Sequence, residues 1–230
     1  MTLFRSFLSL IFPSVCFACG KALYDTEDSI CTLCHYHLPK TNYHLYSDNP
    51  VTRLFWGRVN ISAASSCYRF AKDGKVQQLI HHLKYRGQKN IGKTVGRFYG
   101  AELLQSELFS TVELIVPVPL HKHKLKKRGY NQSDLFAEGL AQAMKKEYDP
   151  GILVRGAPTE TQTRKSRFAR FRNVDSVFHL RDPGRLEGKH ILLVDDVVTT
   201  GSTLEACAGK LLEVPGVKVS VATIAHAEQQ

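Results

Sequence analysis

The stretch at residues 191–213, ILLVDDVVTTGSTLEACAGKLLE, constrains the fold more tightly than any other part of the chain. An unbroken apolar run, Ile191 to Val194, ends on two adjacent carboxylates, Asp195 and Asp196. A short apolar run without period-two alternation reads as a strand buried on both faces. The loop Val198-Thr199-Thr200-Gly201-Ser202-Thr203 follows, and then Leu204, Ala208, Leu211 and Leu212 recur at helical spacing. Strand, loop and helix in that order form the repeating unit of a parallel α/β sheet. The loop sets backbone N–H groups and hydroxyls at a helix N-terminus, where an anion is favoured. The acids fall at the carboxyl end of the strand, the side on which open α/β sheets bind ligands. Adjacent carboxylates repel one another, so their pairing points to a function. A phosphate cradle beside a diacid suits a phosphosugar with free hydroxyls.

Near the other end of the chain, Cys16-x-x-Cys19 and Cys31-x-x-Cys34 supply four of the six cysteines. Two such knuckles separated by about a dozen residues have the ligand count and spacing of a four-thiolate structural Zn²⁺ site. His35 and His37 lie close by, but four thiolates already close the tetrahedron. Two disulfides are the alternative, disfavoured in a reducing compartment. Cys67 and Cys207 stand alone and are expected to be buried packing residues.

Between these landmarks, residues 46–60 have the mixed polar and aromatic composition of a linker or hood. Residues 61–70 read as a strand. Val76, Leu79, Ile80 and Leu83 mark an amphipathic helix leading to Lys84-Tyr85-Arg86-Gly87. Ile91, Val95, Phe98 and Leu103 mark a second helix, and residues 113–119 a second buried strand. The basic run HKHKLKKRGYNQ at 121–132 is expected as a solvated face or a loop just past that strand. Asn131 would cap the next helix, whose core stripe is Phe136, Leu140 and Met144. Residues 155–174 form a long basic loop, and a loop of that length inside a domain usually serves a function. A last strand spans 217–225.

Gly87 to Thr94 spells G-x-x-x-x-G-K-T, the letters of a phosphate-binding loop of nucleoside triphosphatases. That loop needs a strand before it, and the preceding residues have helical periodicity instead. A P-loop nucleoside triphosphatase is therefore the lesser alternative.

With 31 Lys and Arg against 21 Asp and Glu, the formal net charge of +10 implies anionic partners: sugar phosphates, pyrophosphate or nucleic acid. No apolar run reaches the roughly 18 residues needed to span a bilayer. The opening LFRSFLSLIF is expected as an amphipathic helix and the cytoplasm as the compartment, because no small-x-small cleavage site follows.

The stretch at 191–203 resembles the phosphoribosyl-pyrophosphate signature of type I phosphoribosyltransferases. Together with FPSVCFACG, HLKYRG, VPVPLHKHKLKKRGYNQ, and Gln162 followed by Arg170 and Asn173-Val174, it makes the whole chain similar to the ComF family of competence-associated phosphoribosyltransferase-like proteins. The resemblance implies an α/β type I phosphoribosyltransferase fold, a mostly parallel sheet flanked by helices, with a small N-terminal zinc module. The implied division is 1–45 for the N-terminal helix and zinc module, 46–60 for the linker or hood, and 61–230 for the phosphoribosyltransferase-like domain. It assigns the ribose hydroxyls, with indirectly held Mg²⁺, to Asp195 and Asp196, and the 5-phosphate to Val198 through Thr203. Lys84, Arg128, Gln162 and Arg170 are the candidates for pyrophosphate and the closing loop. The implied reaction is phosphoribosyl transfer from phosphoribosyl pyrophosphate to a nitrogen acceptor, with a link to DNA uptake. A single-stranded-DNA-binding accessory of the competence machinery, or a phosphoribosyl-pyrophosphate sensor without turnover, are the alternatives.

Overall fold

The computed structural model describes residues 14–156 and 177–227. The helix expected before residue 14, Gln162, Arg170 and most of the basic stretch 155–174 lie outside the described residues. The strands are β1 (Ala63–Phe70), β2 (Leu114–Pro117), β3 (Glu147–Tyr148), β4 (Leu153–Arg155), β5 (Phe178–Leu180), β6 (His190–Val198) and β7 (Lys218–Ala227). Five of them form one sheet in the order β1-β7-β6-β2-β3, and every pairing is parallel. β4 and β5 pair antiparallel in a separate ribbon. From β2 the chain steps outward to the β3 edge, and from β6 it steps the other way, to β7. The connections diverge between β2 and β6, and a crevice at such a point is where open α/β sheets bind ligands.

The helices are α1 (Thr32–His37), α2 (Pro50–Arg53), α3 (Lys75–Tyr85), α4 (Asn90–Leu104), α5 (Lys122–Arg128), α6 (Gln132–Met144) and α7 (Ser202–Leu212). β6 separates two cores. Leu192 and Val194 join Leu79, Val95 and Phe136 on one face, while Ile191 and Leu193 join Leu204, Ala208 and Leu211 on the other. This two-sided burial is why the strand reads as an unbroken apolar run. Each such fully buried Leu or Ile contributes roughly 1.5–3 kcal/mol.

α4 and α6 approach unusually closely, through glycine. A Cβ on Gly96 would stand 2.4 Å from the Phe136 carbonyl oxygen, and one on Gly139 would stand 2.2 Å from the Lys93 carbonyl oxygen. Gly92 belongs to the same seam, 2.9 Å from the Leu135 Cβ. The glycine that completes the P-loop letters is thus a helix-packing residue. α3 precedes Gly87 where that motif needs a strand, and Lys93 and Thr94 lie inside α4. Lys93 pairs with Glu138 at 2.5 Å, and the Thr94 hydroxyl donates to Asp28 at 3.0 Å. The nucleotide-binding reading of these letters has no support in the fold.

One sequence expectation needs correction, that of Phe98 as a core residue, and two others gain detail. Of the two readings of the basic run, the structure shows the solvated face: residues 122–128 form α5, closed by Gly129 at φ 80°, with no buried residue. With no apolar face, its sequence carries no helical period. Phe98 leaves the core position on α4 to Tyr99, which is 1% exposed, and packs instead on His35, the rings tilted at 40° with centroids 3.9 Å apart. The stretch 46–60, expected as a linker or hood, is tied to β1. Asn49 caps α2 and donates to the Ala64 carbonyl at 2.9 Å, and Val51 and Phe55 are fully buried.

The cysteine-bearing segment is built into the same core. Cys16, Cys31, Cys34 and Leu38 pack with Tyr68, Leu79 and Leu83. Asp28 accepts from Arg97 at 3.0 Å, Lys40 pairs with Glu102 at 2.7 Å, and Phe17 lies 5.2 Å from the His82 ring. Cys67 and Cys207 are buried packing residues, as expected. Among the described residues, no helix is long and apolar enough to cross a membrane.

Candidate functional site

The β2–β6 crevice opens because the two strands part company early. Their last paired residues are Pro117 and Val194, with one further bond from the Val118 amide to the Val194 carbonyl at 2.8 Å. β6 continues alone on that side and carries Asp195 and Asp196 into the gap. Asp195 Oδ1 accepts from the Ser133 hydroxyl at 2.7 Å and from the Asp196 amide at 2.8 Å. Ser133 sits in the first turn of α6, whose cap Asn131 is itself tied to the Val118 carbonyl at 3.0 Å. Asp196 is 7% exposed and pairs with Lys84, from the last turn of α3, at 2.9 Å.

The carboxylates are not equivalent. Burial first, and the charge of Asp196 second, push Asp195 up to about 7, against the pull of the Ser133 hydroxyl and Lys84. An acid raised in the fold binds protons that the unfolded chain has released. Stability therefore falls as pH rises between 3.8 and about 7, and levels off above. Replacing Asp195 with asparagine is expected to flatten that slope and to raise stability at pH 8 by on the order of 2 kcal/mol. Urea melts across pH 4–8 check this, and an unchanged slope in the variant contradicts it.

Beyond Val198 the chain turns through a loop into α7. Asp195, Val197 and the residues from Val198 to Leu204 line a small hollow of about 60 Å³. Gly201, at φ 75°, is the residue before the helix and makes the left-handed turn possible. Thr200 and Ser202 hydroxyls lie 3.1 Å apart at the rim. The first residues of an 11-residue helix, Ser202 to Leu204, line this hollow, with the Ser202 amide donating to the Thr200 hydroxyl at 3.5 Å.

Sequence reasoning placed Lys84 and Arg128 at one site, and the structure brings them together. Both line a cavity of about 330 Å³ with Tyr85, Gly87, Lys124, Lys127 and Tyr130. Arg128 lies 5.5 Å over the Tyr85 ring, and Lys89 lies 5.2 Å over the Tyr130 ring. The aromatic faces thus hold cations in place. Among the cavity-lining cations, Lys84 has a carboxylate partner in Asp196, which joins the cavity to the diacid. Lys124, Lys127 and the tyrosines were missed individually, because a charge run does not say which of its members face one another.

Sequence reasoning also missed Arg58 and Ser133. Arg58 contacts Thr200, 142 positions away, and Ser133 contacts Asp195, 62 positions away. Neither pairing has a local signal.

The four cysteine sulfurs lie within 4.8 Å of one another, and Cys19 and Cys31 are 3.8 Å apart. Four thiolates about 2.3 Å from a tetrahedral Zn²⁺ stand about 3.8 Å from each other, so the cluster can hold such an ion. The knuckles are shaped by N–H···S bonds, from Cys31 to Cys16 at 3.3 Å and from Cys34 to Cys31 at 3.4 Å. The Lys21 amide lowers Cys19 to about 7, while burial raises Cys31 and Cys34. Ionising all four calls for a cation at their centre.

A family model for the phosphoribosyl transferase domain matches residues 132–230. The DNA utilization protein YhgH of Escherichia coli strain K12 is 32% identical over 206 residues, covering 86% of this chain and 84% of its own. Competence protein ComFC of Bacillus subtilis is 28% identical, covering 86% of this chain and 78% of its own. Competence protein F of Haemophilus influenzae is 34% identical over 144 residues, 61% of this chain and 62% of its own. Among solved structures, adenine phosphoribosyltransferase of Saccharomyces cerevisiae is 16% identical with a TM-score of 0.38, over 62% of this chain and 72% of its own.

Proposed function

Because the chain belongs to the ComF family of phosphoribosyltransferase-like proteins, we propose that it binds phosphoribosyl pyrophosphate with Mg²⁺ and transfers the phosphoribosyl group to a nitrogen nucleophile. The observation that carries the reading is the diacid at the sheet's divergence point, flanked on one side by the helix-terminal loop and on the other by the cationic cavity. The loop from Val198 to Thr203 takes the 5-phosphate through backbone N–H groups and hydroxyls. Asp195 and Asp196 accept from the ribose 2- and 3-hydroxyls. Lys84 and Arg128 receive the pyrophosphate, with Gln162 and Arg170 as further candidates from outside the described residues.

The reaction breaks the bond from C1 to the pyrophosphate oxygen, and the electron pair leaves with pyrophosphate. The nitrogen lone pair forms the new bond to C1, and the acceptor then releases a proton. Positive charge grows on the ribose ring and negative charge on the leaving group. Prearranged cations at the leaving group and carboxylates under the ring stabilise both. Paired carboxylates suit a hard divalent cation, so Asp195 and Asp196 would help to hold Mg²⁺ indirectly, and it would supply Lewis-acid stabilisation of the leaving pyrophosphate. Structural Zn²⁺ would be held by Cys16, Cys19, Cys31 and Cys34, whose sulfurs lie within 4.8 Å of one another.

A second reading, single-stranded DNA binding, is favoured by one feature. α5 presents five cations on a helix with no buried residue, and relatives carry DNA-utilization and competence names. It is compatible with the first. Thermal shifts separate the readings: phosphoribosyl pyrophosphate with Mg²⁺ at 100 times its Kd is expected to stabilise the chain by about 2.7 kcal/mol. Stabilisation only by oligonucleotide favours the DNA reading, and stabilisation only by ATP overturns both.

A further inference from the structure

We infer that Arg58 is a positioning residue for the phosphate loop, turning the peptide between Thr200 and Gly201 so that its N–H faces the sugar phosphate. This rests on the phosphoribosyl reading above. Arg58 comes from the stretch ahead of β1, not from the strand-loop-helix unit that carries the loop. Its Nη1 donates to the Leu54 carbonyl at 3.0 Å and to the Thr200 carbonyl at 2.8 Å. Its Nη2 pairs with the Glu205 carboxylate and lies 3.4 Å from the Ser202 hydroxyl. A trans peptide points its C=O and its N–H in opposite directions, and the chain has no cis bond among the described residues. Holding the Thr200 carbonyl toward Arg58 therefore turns the Gly201 N–H away from Arg58. Arg58 does not line the hollow bounded by Asp195 and the residues from Val197 to Leu204. Arg58 thus contacts the loop from outside that lining, and on this inference the N–H that it turns away lies on the hollow's side.

Phe55 supports the same peptide. Its Cε1 would stand 3.2 Å from a Cβ on Gly201, so the ring covers the outer side of the turn. Glu205 explains why the brace is an arginine. It lies in the first turn of α7, where an unpaired carboxylate would repel a phosphate at the helix N-terminus. The Arg58 fork neutralises Glu205 and holds two carbonyls at once, which a lysine's single ammonium does with poorer geometry.

The test is calorimetric titration of the full chain with ribose 5-phosphate, phosphoribosyl pyrophosphate with Mg²⁺, and inorganic pyrophosphate. Arg58→Ala is expected to weaken both phosphoribosyl ligands by about tenfold or more, a loss of at least one lost charge-assisted hydrogen bond. Pyrophosphate, held at Lys84 and Arg128, should change less than about twofold, which also reports an intact fold. Arg58→Lys should recover part of the affinity, and Glu205→Gln added to Arg58→Ala should recover part by removing the repulsion. Unchanged ribose 5-phosphate affinity in Arg58→Ala, or equal loss of all three ligands, overturns the brace alone. A wild-type chain that binds neither phosphoribosyl ligand overturns the brace and the phosphoribosyl reading together.

Discussion

Stripping the metal from the cysteine cluster, or replacing Cys31 with serine, is expected to lower the Tm by about 10 °C or more. The expectation follows from where the cluster sits. Cys16, Cys31 and Cys34 are buried and pack with Leu38, Tyr68, Leu79 and Leu83, so they are part of the main core. Without a cation, burial holds Cys31 and Cys34 protonated while Cys19 favours its thiolate, and the four sulfurs lose what draws them together. Thr94 and Arg97 on α4 then lose a fixed Asp28, and α4 is one half of the glycine seam. Metal analysis should find about one equivalent of zinc in the purified chain, and melts with and without chelator measure the effect. A metal-free preparation with the same Tm contradicts it.

Replacing Gly139 with alanine is expected to cost about 3 kcal/mol or more, a fall in Tm of about 6–12 °C. The added methyl would sit 2.2 Å from the Lys93 carbonyl oxygen and 2.9 Å from the Gly96 Cα, both backbone atoms. No rotamer change relieves that clash. α4 and α6 must separate, and their packing over Val95, Tyr99, Phe136 and Leu140 opens with them. Gly209 in α7 provides the control. Nothing lies within 4 Å of its Cβ position, so alanine there is expected to stabilise by about 0.5–1 kcal/mol through helix propensity alone. Equal effects at the two positions would refute the close approach of the helices.

The legible part of this chain is the part whose signals are local. β6 announces itself because both its faces are buried, and the knuckle cysteines because metal ligands keep strict spacing. The apolar stripes of α3 and α6 and the Asn131 cap of α6 could also be read directly. What was hidden falls into three kinds. α5 has no buried side chain, so no apolar period marks it as helix. The glycine seam sat behind a coincidence of letters: Gly92-Lys93-Thr94 completes a nucleotide-loop pattern, while in the fold Gly92 packs on Leu135, Lys93 pairs with Glu138 and Thr94 bonds Asp28. The third kind is long-range pairing. Arg58 with Thr200, Ser133 with Asp195 and Lys84 with Asp196 each join distant segments, and only the topology brings them together.

The same topology ties the fold to the proposed chemistry. A sheet whose connections diverge between β2 and β6 leaves the carboxyl end of β6 uncovered on one side, so Asp196 is buried while Asp195 beside it stays half-buried. Burial raises Asp195 and costs stability, which a structural residue at that position would not require.

The most direct test is a calorimetric titration of phosphoribosyl pyrophosphate with Mg²⁺ into the wild-type chain and into the variant carrying Asp195→Asn and Asp196→Asn. Saturable binding by the wild type is expected, weakened by about 100-fold or more in the double variant as two charged acceptors are lost from the sugar hydroxyls. The variant should melt no lower than the wild type at pH 8. Equal affinity in the two proteins, or no binding by the wild type, would contradict the assignment of the β6 diacid and its loop to a phosphoribosyl ligand.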